Sequence, residues 1–408
     1  MNLKIRTQLS IMMFLQFFIW GAWAVTMGTY LGKIGFSGTE VGSAYSTTAW
    51  AAILSPFFIG MIADRFFAAQ KVLGLLHMVG AVLMYWATTI TTPGKFFWVL
   101  LGYALCYMPT LALVNAISFN QMTEPQRQFP GVRLLGTVGW IVAGVIIGNL
   151  KIEPTVIPLQ IAAGVSLFMG LYSFTLPNTP PSGAGKKVSV RDILGLDALK
   201  LMKDPSFAIF VISSLLICIP LAFYYAFANP YFNELGMVKA AEKMAMGQAS
   251  EVIFMFLMPF FFARLGVKKM LLVGMLAWAV RYALFAYGNN DSLVFMFYTG
   301  ILLHGICYDF FFVTGQIYVD KKAPKAIQAS AQGFISLVTY GAGMVIGNKI
   351  AGLIVESHEI KDAANITGHH WPQIWLFPAI MAAVVVVVFA LSFRERAVAD
   401  NPKPALAK

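Results

Sequence analysis

The sequence predicts an all-α membrane protein with twelve transmembrane helices arranged as two pseudo-symmetric halves of six. Three observations predict this fold: the composition, the long apolar runs, and the distribution of basic residues between the connectors. Apolar residues make up 59% of the 408 residues and charged residues only 12%, and the mean hydropathy is +0.73. Soluble domains carry roughly 25% charged residues. A chain of this composition is therefore expected to lie in a lipid bilayer.

The apolar runs are continuous, and each is about as long as the roughly 20 residues that a transmembrane helix needs. They do not alternate between apolar and polar residues as the strands of a membrane barrel do. The first run is too long for a signal peptide and is expected to remain as span 1. Spans 1 to 6 are expected at 9–32, 41–64, 70–91, 96–122, 131–149 and 156–177. Spans 7 to 12 are expected at 205–233, 244–264, 268–288, 292–318, 327–355 and 371–393.

The connectors between these runs alternate in charge. The set that includes both termini holds 20 Lys and Arg residues, whereas the other set holds seven. Basic connectors mark the cytoplasmic side of a membrane protein. We therefore expect a multi-pass protein of a bacterial inner membrane with both termini in the cytoplasm. The net charge of +11 follows from this asymmetry, so no nucleic-acid partner is expected, and we expect a monomer in the lipid bilayer.

The longest basic connector divides the chain. It covers residues 178–204 and begins with a run of Pro, Ser, Thr and Gly that breaks helices. Within it, Val190–Met202 is expected to form a short interfacial helix, because its apolar residues share one face. The N-terminal half is thus expected at 1–177. The C-terminal half, with a short cytoplasmic tail, is expected at 205–408.

A repeated motif after spans 2 and 8 supports this division. The stretch with Gly60, Asp64 and Arg65 resembles part of the major-facilitator loop signature G-x-x-x-D-R-x-G-R-K, and the stretch that begins at Arg264 resembles a second, incomplete copy. These charges are candidates for gating residues that pair across the halves and hold the cytoplasmic side shut. The alternative is ordinary helix-end charges at a membrane surface.

Four ionisable side chains stand out inside the predicted spans: Arg133, Glu251, His304 and Asp309. Such residues are costly in a bilayer and are functional candidates by default. A carboxylate beside an imidazole, as on span 10, is typical of a proton relay. Alternatively, Arg133 could extend to the cytoplasmic surface, and His304 could be a satisfied interior histidine.

The two carboxylates of this set also have structural alternatives. Glu251 could pair with Arg133 or Arg281, and Asp309 could pair with Arg281 or Lys322. Glu251 shares one face of span 8 with Gln248, three residues earlier, which favours a role for both in a cavity.

Other polar and aromatic side chains occur at helical spacing. Arg133, Thr137 and Trp140 share a face of span 5, and a cation, a hydroxyl and a large ring suit a polar, ring-bearing ligand. Further residues expected to face a cavity are Gln16, Trp20 and Asn115.

Several classes of function lack their motifs. There is no phosphate-binding loop, no spacing typical of a catalytic triad and no metalloprotease motif, so we expect no enzyme, no catalytic residue and no cofactor other than a coupling proton. The three cysteines lie in apolar runs. His358, His369 and His370 lack regular ligand spacing, so no metal site is expected.

The whole chain resembles the nucleoside:H⁺ symporter family of the major facilitator superfamily. The stretches that carry the resemblance lie in both halves: Phe14–Phe17 with Trp20 and Trp23, Tyr107–Leu111 with Asn115, Phe129–Gly139, Leu194–Ala198, Gln248–Glu251, Arg281–Gly288, Asp309–Phe311 and Ala329–Gly333.

The resemblance implies a nucleoside site between the halves, near the middle of the membrane, with alternating access. It implies that Arg133, Thr137 and Trp140 line the cavity and that Gln248 and Glu251 contact the ligand. It also implies that Tyr308 is the aromatic residue before the span 10 aspartate. A tyrosine of the family four residues earlier is replaced here by His304.

The chain departs from the family on span 7. There a polar Gln/Asn pair is replaced by Ala222 and Tyr225, which puts the substrate range in doubt and makes Tyr225 a candidate substrate contact.

We therefore expect proton-coupled nucleoside uptake, with Glu251 or Asp309, or both, carrying the proton and Arg133 sensing their charge and orienting the ligand. One alternative is a proton-coupled symporter of a sugar or other small polar solute on the same scaffold. A membrane sensor that binds a solute without moving it is a hypothesis from another class.

Overall fold

A computed structural model describes residues 1–180, 196–363 and 365–394, except for the side chains of 56–66, 126, 196, 326 and 329. The N-terminal half contains the helices Leu3–Ala24 and Met27–Lys33 (span 1), Gly38–Phe66 (span 2), Ala69–Ala87 (span 3), Pro93–Asn120 (span 4), Pro125–Leu150 (span 5) and Ile157–Ser173 (span 6).

The C-terminal half has more interrupted helices. Its α-helices are Pro205–Glu234 (span 7), Ala240–Tyr287 (spans 8 and 9), Val294–Leu302, His304–Tyr308 and Thr314–Lys322 (span 10), Gln328–Ser336 and Met344–Ser357 (span 11), and Trp371–Ser392 (span 12). π-Helical turns at Asp309–Val313 and Leu337–Gly343 interrupt spans 10 and 11. A short 3₁₀ helix, Lys325–Ile327, precedes span 11.

The all-α membrane fold is confirmed. In the described part of the chain, nine helices are long and apolar enough to cross a membrane. One of them, Ala240–Tyr287, breaks at Gly266, where φ is 65° and ψ is 179°. Glycine adopts this backbone conformation without steric cost, so the long helix supplies both span 8 and span 9. Gly38–Phe66 and the shorter Ile157–Ser173 occupy the positions of spans 2 and 6, so every expected span corresponds to a helical segment.

Each half forms its own bundle. In the N-terminal half, span 1 packs on span 5, and span 3 packs on spans 4 and 6. Spans 1 and 5 approach so closely that a Cβ at Gly139 would lie 2.2 Å from the Phe14 carbonyl oxygen. The halves meet where span 2 packs on span 11 and span 5 packs on span 8. Spans 2, 5, 8 and 11 therefore border the interface between the halves.

The connectors define two ends of the bundle. The basic end carries Met1 and the linker, and the other end carries the connectors 34–37, 151–156, 235–239 and 358–370; we call it the Glu153 end. Two antiparallel strands that the sequence analysis does not predict, Glu359–Asp362 and Asn365–His369, form a hairpin there, with Glu359 opposite His369 and a bulge after Ile360.

The linker is described only in part. The predicted interfacial helix Val190–Met202 lies largely outside the described residues, whose next segment, Leu196–Lys203, is a 3₁₀ helix. Asp204 then begins span 7. Its carboxylate accepts hydrogen bonds from the backbone N–H groups of Ser206 and Phe207, and it lies 2.7 Å from Nζ of Lys322 at the end of span 10.

This contact generates a stability prediction. The hydrogen bond from Lys322 lowers the pKa of Asp204 below its ordinary value. A lowered pKa in the folded state stabilises the fold above the unfolded value of about 3.9. That contribution is lost as the pH falls through the folded pKa. Asp204→Ala removes both the helix cap, about 0.5–2 kcal/mol, and the ion pair, whereas Asp204→Asn keeps a capping side chain and removes only the ion pair.

We expect the midpoint of thermal unfolding in detergent, followed by tryptophan fluorescence at pH 7, to fall most for Asp204→Ala and less for Asp204→Asn. Asp291→Asn, in the exposed connector 288–293, serves as the control. The interpretation is wrong if Asp204→Asn unfolds at the same temperature as the control at pH 7, or if its deficit grows as the pH is lowered toward 4.

Candidate functional site

Side chains of spans 7, 9 and 10 meet inside the C-terminal half around His304, which is only 2% exposed. His304 Nδ1 lies 3.1 Å from Nη1 of Arg281, and the imidazole stacks on the Tyr224 ring at a centroid distance of 5.7 Å. The Arg281 guanidinium also lies over the Tyr224 ring, 3.6 Å from its centroid. These three side chains therefore form one packed block across three spans.

Two half-buried side chains of span 8 face the other nitrogen of His304. Oε2 of Glu251 lies 3.8 Å from His304 Nε2, and Nε2 of Gln248 lies 3.5 Å from the same atom. The structure thus places Gln248 and Glu251, which share the predicted face of span 8, next to His304 of span 10. Arg281 pairs with His304 rather than with Glu251. Glu251 interacts electrostatically with Arg133, which lies in the other half.

Asp309 is completely buried at the point where span 10 changes from an α-helix to a π-helical turn. Such turns occur often at functional sites. Neither of its carboxylate oxygens has a hydrogen-bond partner in the described part of the chain. The alternative of a pair with Lys322 does not hold, because Lys322 contacts Asp204. Asp309 is thus a buried acid without an ionic partner among the side chains that the structure describes.

Tyrosines of three spans lie next to this cluster. The hydroxyl of Tyr308 is 3.0 Å from that of Tyr340, which belongs to the π-helical turn of span 11. Tyr225 is half-buried with its ring 5.8 Å from that of Tyr224, whereas Ala222 is fully buried. Sequence reasoning missed Tyr340, because a lone tyrosine in an apolar span is a weak signal.

The predicted face of span 5 meets span 1. Arg133 is half-buried, and its guanidinium lies 4.1 Å from the centroid of the Phe17 ring. Trp140 makes an edge contact with Trp20 at 5.7 Å. The structure therefore joins the cation and the two indoles on one side of the N-terminal half. Thr137 and Asn115 are half-buried on spans 5 and 4.

Gln16, in contrast, is fully buried among the helices of the N-terminal half. Its amide donates to Thr110 Oγ1 at 2.7 Å, and its carbonyl oxygen lies 2.9 Å from His77 Nε2. His77 Nδ1 is 3.0 Å from Ser166 Oγ. The structure thus gives Gln16 a place in a network that joins spans 1, 3, 4 and 6 rather than a cavity position. Sequence reasoning missed His77, although a histidine in a span is the same signal that singled out His304.

Of the predicted gating residues, only Arg264 has a described side chain. It is exposed, and its guanidinium lies 3.6 Å from the centroid of Phe260 in its own span. The side chains of Asp64 and Arg65 lie outside the described residues. Among those described, no group of three or more His, Cys, Asp or Glu side chains is placed to hold a metal ion.

The opposite end is closed by a network that sequence reasoning missed. Glu153, in the connector between spans 5 and 6, is 3% exposed. Its Oε2 accepts hydrogen bonds from Asn229 and Asn233 of span 7, at 2.8 and 2.9 Å. Its Oε1 accepts from the backbone N–H of Ala241, at the start of span 8, at 3.1 Å. A carboxylate of one half is therefore satisfied by three donors of the other half.

Further contacts between the halves lie at the same end. Glu356 of span 11 accepts hydrogen bonds from the backbone N–H and the hydroxyl of Thr39 of span 2. Asn149 of span 5 contacts Glu242 and Lys239 near the start of span 8. In the described part of the chain, the hydrogen bonds that join the two halves all lie at the Glu153 end, so the halves are held closed there.

The chain is similar to known transporters over nearly its full length. The profile of the family described as nucleoside H⁺ symporter matches residues 1–398. The putative nucleoside transporter YegT of Escherichia coli (strain K12) is 46% identical over 403 residues, 96% of this chain and 95% of that protein. The xanthosine permease of the same strain is 34% identical over 408 residues, 96% of each chain. The crystal structure of the nucleoside transporter NupG matches with a TM-score of 0.87 at 32% identity, over 97% of this chain and 100% of that one.

The Glu153 network generates a prediction about conformation. Glu153→Ala removes the acceptor of three hydrogen bonds, and a bond to a charged group is worth about 1.5–3 kcal/mol. Because about 1.4 kcal/mol corresponds to a tenfold change in an equilibrium, we expect the closed fraction at this end to fall about tenfold or more relative to the open one.

Spin labels at Lys33 and Val238, one on each half, would measure this shift as a longer distance in pulsed electron resonance, in a background lacking the three cysteines. Asp362→Asn, in the exposed hairpin, is the matched control. An unchanged distance distribution in Glu153→Ala would show that the carboxylate does not hold this end closed.

Proposed function

The chain belongs to the nucleoside H⁺ symporter family, and from this premise we propose that it takes up nucleosides together with protons across a bacterial inner membrane. It is a membrane transporter of the major facilitator type and not an enzyme. The observation that carries the proposal is the convergence of Gln248 and Glu251 on His304, whose Nε2 lies 3.5 Å from a polar atom of Gln248 and 3.8 Å from one of Glu251, on the half that faces Arg133.

The proposed substrate site lies between the two halves. On the C-terminal side it consists of Gln248, Glu251, His304, Tyr308 and Tyr225. On the N-terminal side it consists of Arg133, Thr137, Trp140, Trp20 and Asn115. Aromatic rings suit the flat face of a base, and the amide, carboxylate and imidazole suit its polar edge and the ribose hydroxyls. The names of the relatives, a xanthosine permease and nucleoside transporters, support this substrate class.

We assign the coupling proton to Glu251 and Asp309. Asp309 supports this role because it is completely buried and has no hydrogen-bond partner among the described residues. An ionised carboxylate in such a place is costly. Glu251 supports it because it interacts with both His304 and Arg133. Arg133 would respond to the charge of Glu251 from the other half.

We further propose that the basic end faces the cytoplasm, as the distribution of Lys and Arg favours. The Glu153 end would then face outward. Since the halves are joined there, the structure would represent a state closed to the outside, and transport would require the halves to rock about the central site.

The first test is uptake of radiolabelled uridine and adenosine by cells that express the chain, with and without a protonophore. One proton carried with a neutral substrate at a membrane potential of about 100 mV supplies about 2.3 kcal/mol, enough for roughly fifty-fold accumulation. We expect accumulation of this order, abolished by the protonophore.

This assay can contradict the proton coupling and the substrate class separately. Accumulation that ignores the protonophore would refute proton coupling. If no nucleoside is taken up or bound, and a sugar or another small polar solute is taken up instead, the substrate class would be wrong while the transporter class would stand.

A second test concerns Glu251. Glu251→Gln keeps the size of the side chain but cannot release a proton, so we expect the accumulation ratio to fall toward one. Glu124→Gln, on an exposed side chain at the basic end, is the control and should accumulate nucleosides like the unaltered chain. Full accumulation by Glu251→Gln would exclude Glu251 as the proton carrier and leave Asp309, for which Asp309→Asn is the corresponding variant.

A further inference from the structure

We propose that Arg281 fixes the tautomer of His304, so that span 10 presents an N–H donor to the transported molecule and selects for a hydrogen-bond acceptor on it. The inference rests on the proposed function, because it takes His304 to line the nucleoside site. It adds a positioning role for Arg281, a residue behind that site.

Arg281 is held in one place by its surroundings. Its side chain is 0% exposed, its guanidinium lies over Tyr224, and its Nη1 is 3.1 Å from His304 Nδ1. A planar guanidinium stacked on a ring has little freedom to turn. The contact with Nδ1 is therefore a fixed feature of this half.

The chemistry of the pair decides which nitrogen carries the proton. A guanidinium has five N–H donors and no acceptor, so it can only donate to Nδ1. Nδ1 must then supply its lone pair, which a doubly protonated imidazolium lacks. In this contact His304 is consequently a neutral imidazole with its hydrogen on Nε2.

The Nε2–H group points to the side of the proposed site. Polar atoms of Gln248 and Glu251 lie 3.5 Å and 3.8 Å from Nε2, both on half-buried side chains. The carboxylate oxygen at 3.8 Å lies beyond hydrogen-bond length. As placed, the amide nitrogen of Gln248 faces Nε2; with the amide group reversed, its carbonyl oxygen accepts the Nε2 hydrogen. A ligand acceptor that enters between spans 8 and 10 can thus receive the Nε2 hydrogen.

A group that only donates a hydrogen bond binds a narrower range of ligand atoms than a hydroxyl group, which both donates and accepts. The family's tyrosine at the His304 position would both donate and accept, whereas His304 with its hydrogen fixed on Nε2 only donates there. The favoured substrates are therefore nucleosides that present an acceptor at this point. The acceptor is either a carbonyl oxygen or bare ring nitrogen of the base, or an oxygen of the ribose.

The tautomer itself is measurable. Nitrogen-15 spectra of the full chain in nanodiscs, labelled at histidine and assigned by the signal lost in His304→Gln, distinguish Nε2–H from Nδ1–H. We expect Nε2–H in the unaltered chain. Arg281→Lys retains a donor-only group and should retain this tautomer, whereas Arg281→Met should lose the preference. Lys at this position also keeps the buried charge, so it remains informative if the Met variant does not fold.

The selection is measured by inhibition of labelled nucleoside uptake. Three analogue sets lack, in turn, a base carbonyl oxygen, a ring nitrogen or a ribose hydroxyl, and so identify the acceptor. An unmade hydrogen bond to a buried group should raise the inhibition constant of one analogue set about tenfold. That penalty should persist in Arg281→Lys, shrink in Arg281→Met and vanish in His304→Leu.

The inference is overturned if the unaltered chain carries Nδ1–H, or if Arg281→Met keeps both the tautomer and the analogue penalty. It is also overturned if nucleosides are transported and no analogue set shows a penalty that depends on His304. Failure of the proposed function would look different. The unaltered chain would then take up no nucleoside, while the tautomer would still change in Arg281→Met.

Discussion

The two halves of the bundle are joined at one end around a buried carboxylate, and their relative position depends on how that carboxylate is satisfied. Glu153 belongs to the N-terminal half, but its hydrogen bonds come from Asn229, Asn233 and the backbone of Ala241 in the C-terminal half. An ionised group must find such partners or water. Since Glu153 sits in a connector, water can replace these donors when the halves part. The closure is strong while it exists, and it is reversible.

Near the centre of the molecule, in contrast, the hydrogen bonds between the described side chains form within one half and not between the halves. Gln16 and His77 are hydrogen-bonded to each other inside the N-terminal half, and Arg281 contacts His304 inside the C-terminal half. The hydrocarbon core of a bilayer supplies no water to replace a lost partner, so a hydrogen bond between side chains of one half can persist when that half moves. Each half can therefore rock as a unit, with its internal networks intact, while the hydrogen bonds at the Glu153 end are exchanged.

The sequence predicted the spans because a bilayer leaves a chain few choices: backbone polar groups must be paired within each apolar run. It also predicted that Gln248, Glu251 and His304 would be functional, because polar groups are rare and costly in such runs. It could not predict which groups pair. Arg281 was a possible partner of either carboxylate and contacts His304 instead, and the role of Glu153 depends on residues about 80 positions away. A polar residue in a polar connector carries no local signal.

These contacts suggest how the proton and the substrate act together. Arg133 attracts Glu251 across the interface between the halves, and the attraction depends on the charge of Glu251. We propose that a proton on Glu251 would remove that attraction and leave Arg133 available to a polar group of the substrate. A substrate that reached from Arg133 to His304 would then link the halves in place of the attraction. The proton alone would only remove the attraction, and the substrate alone would have to compete with it. Movement of the halves would then be favoured when both are bound or when neither is, which is the condition for coupled transport.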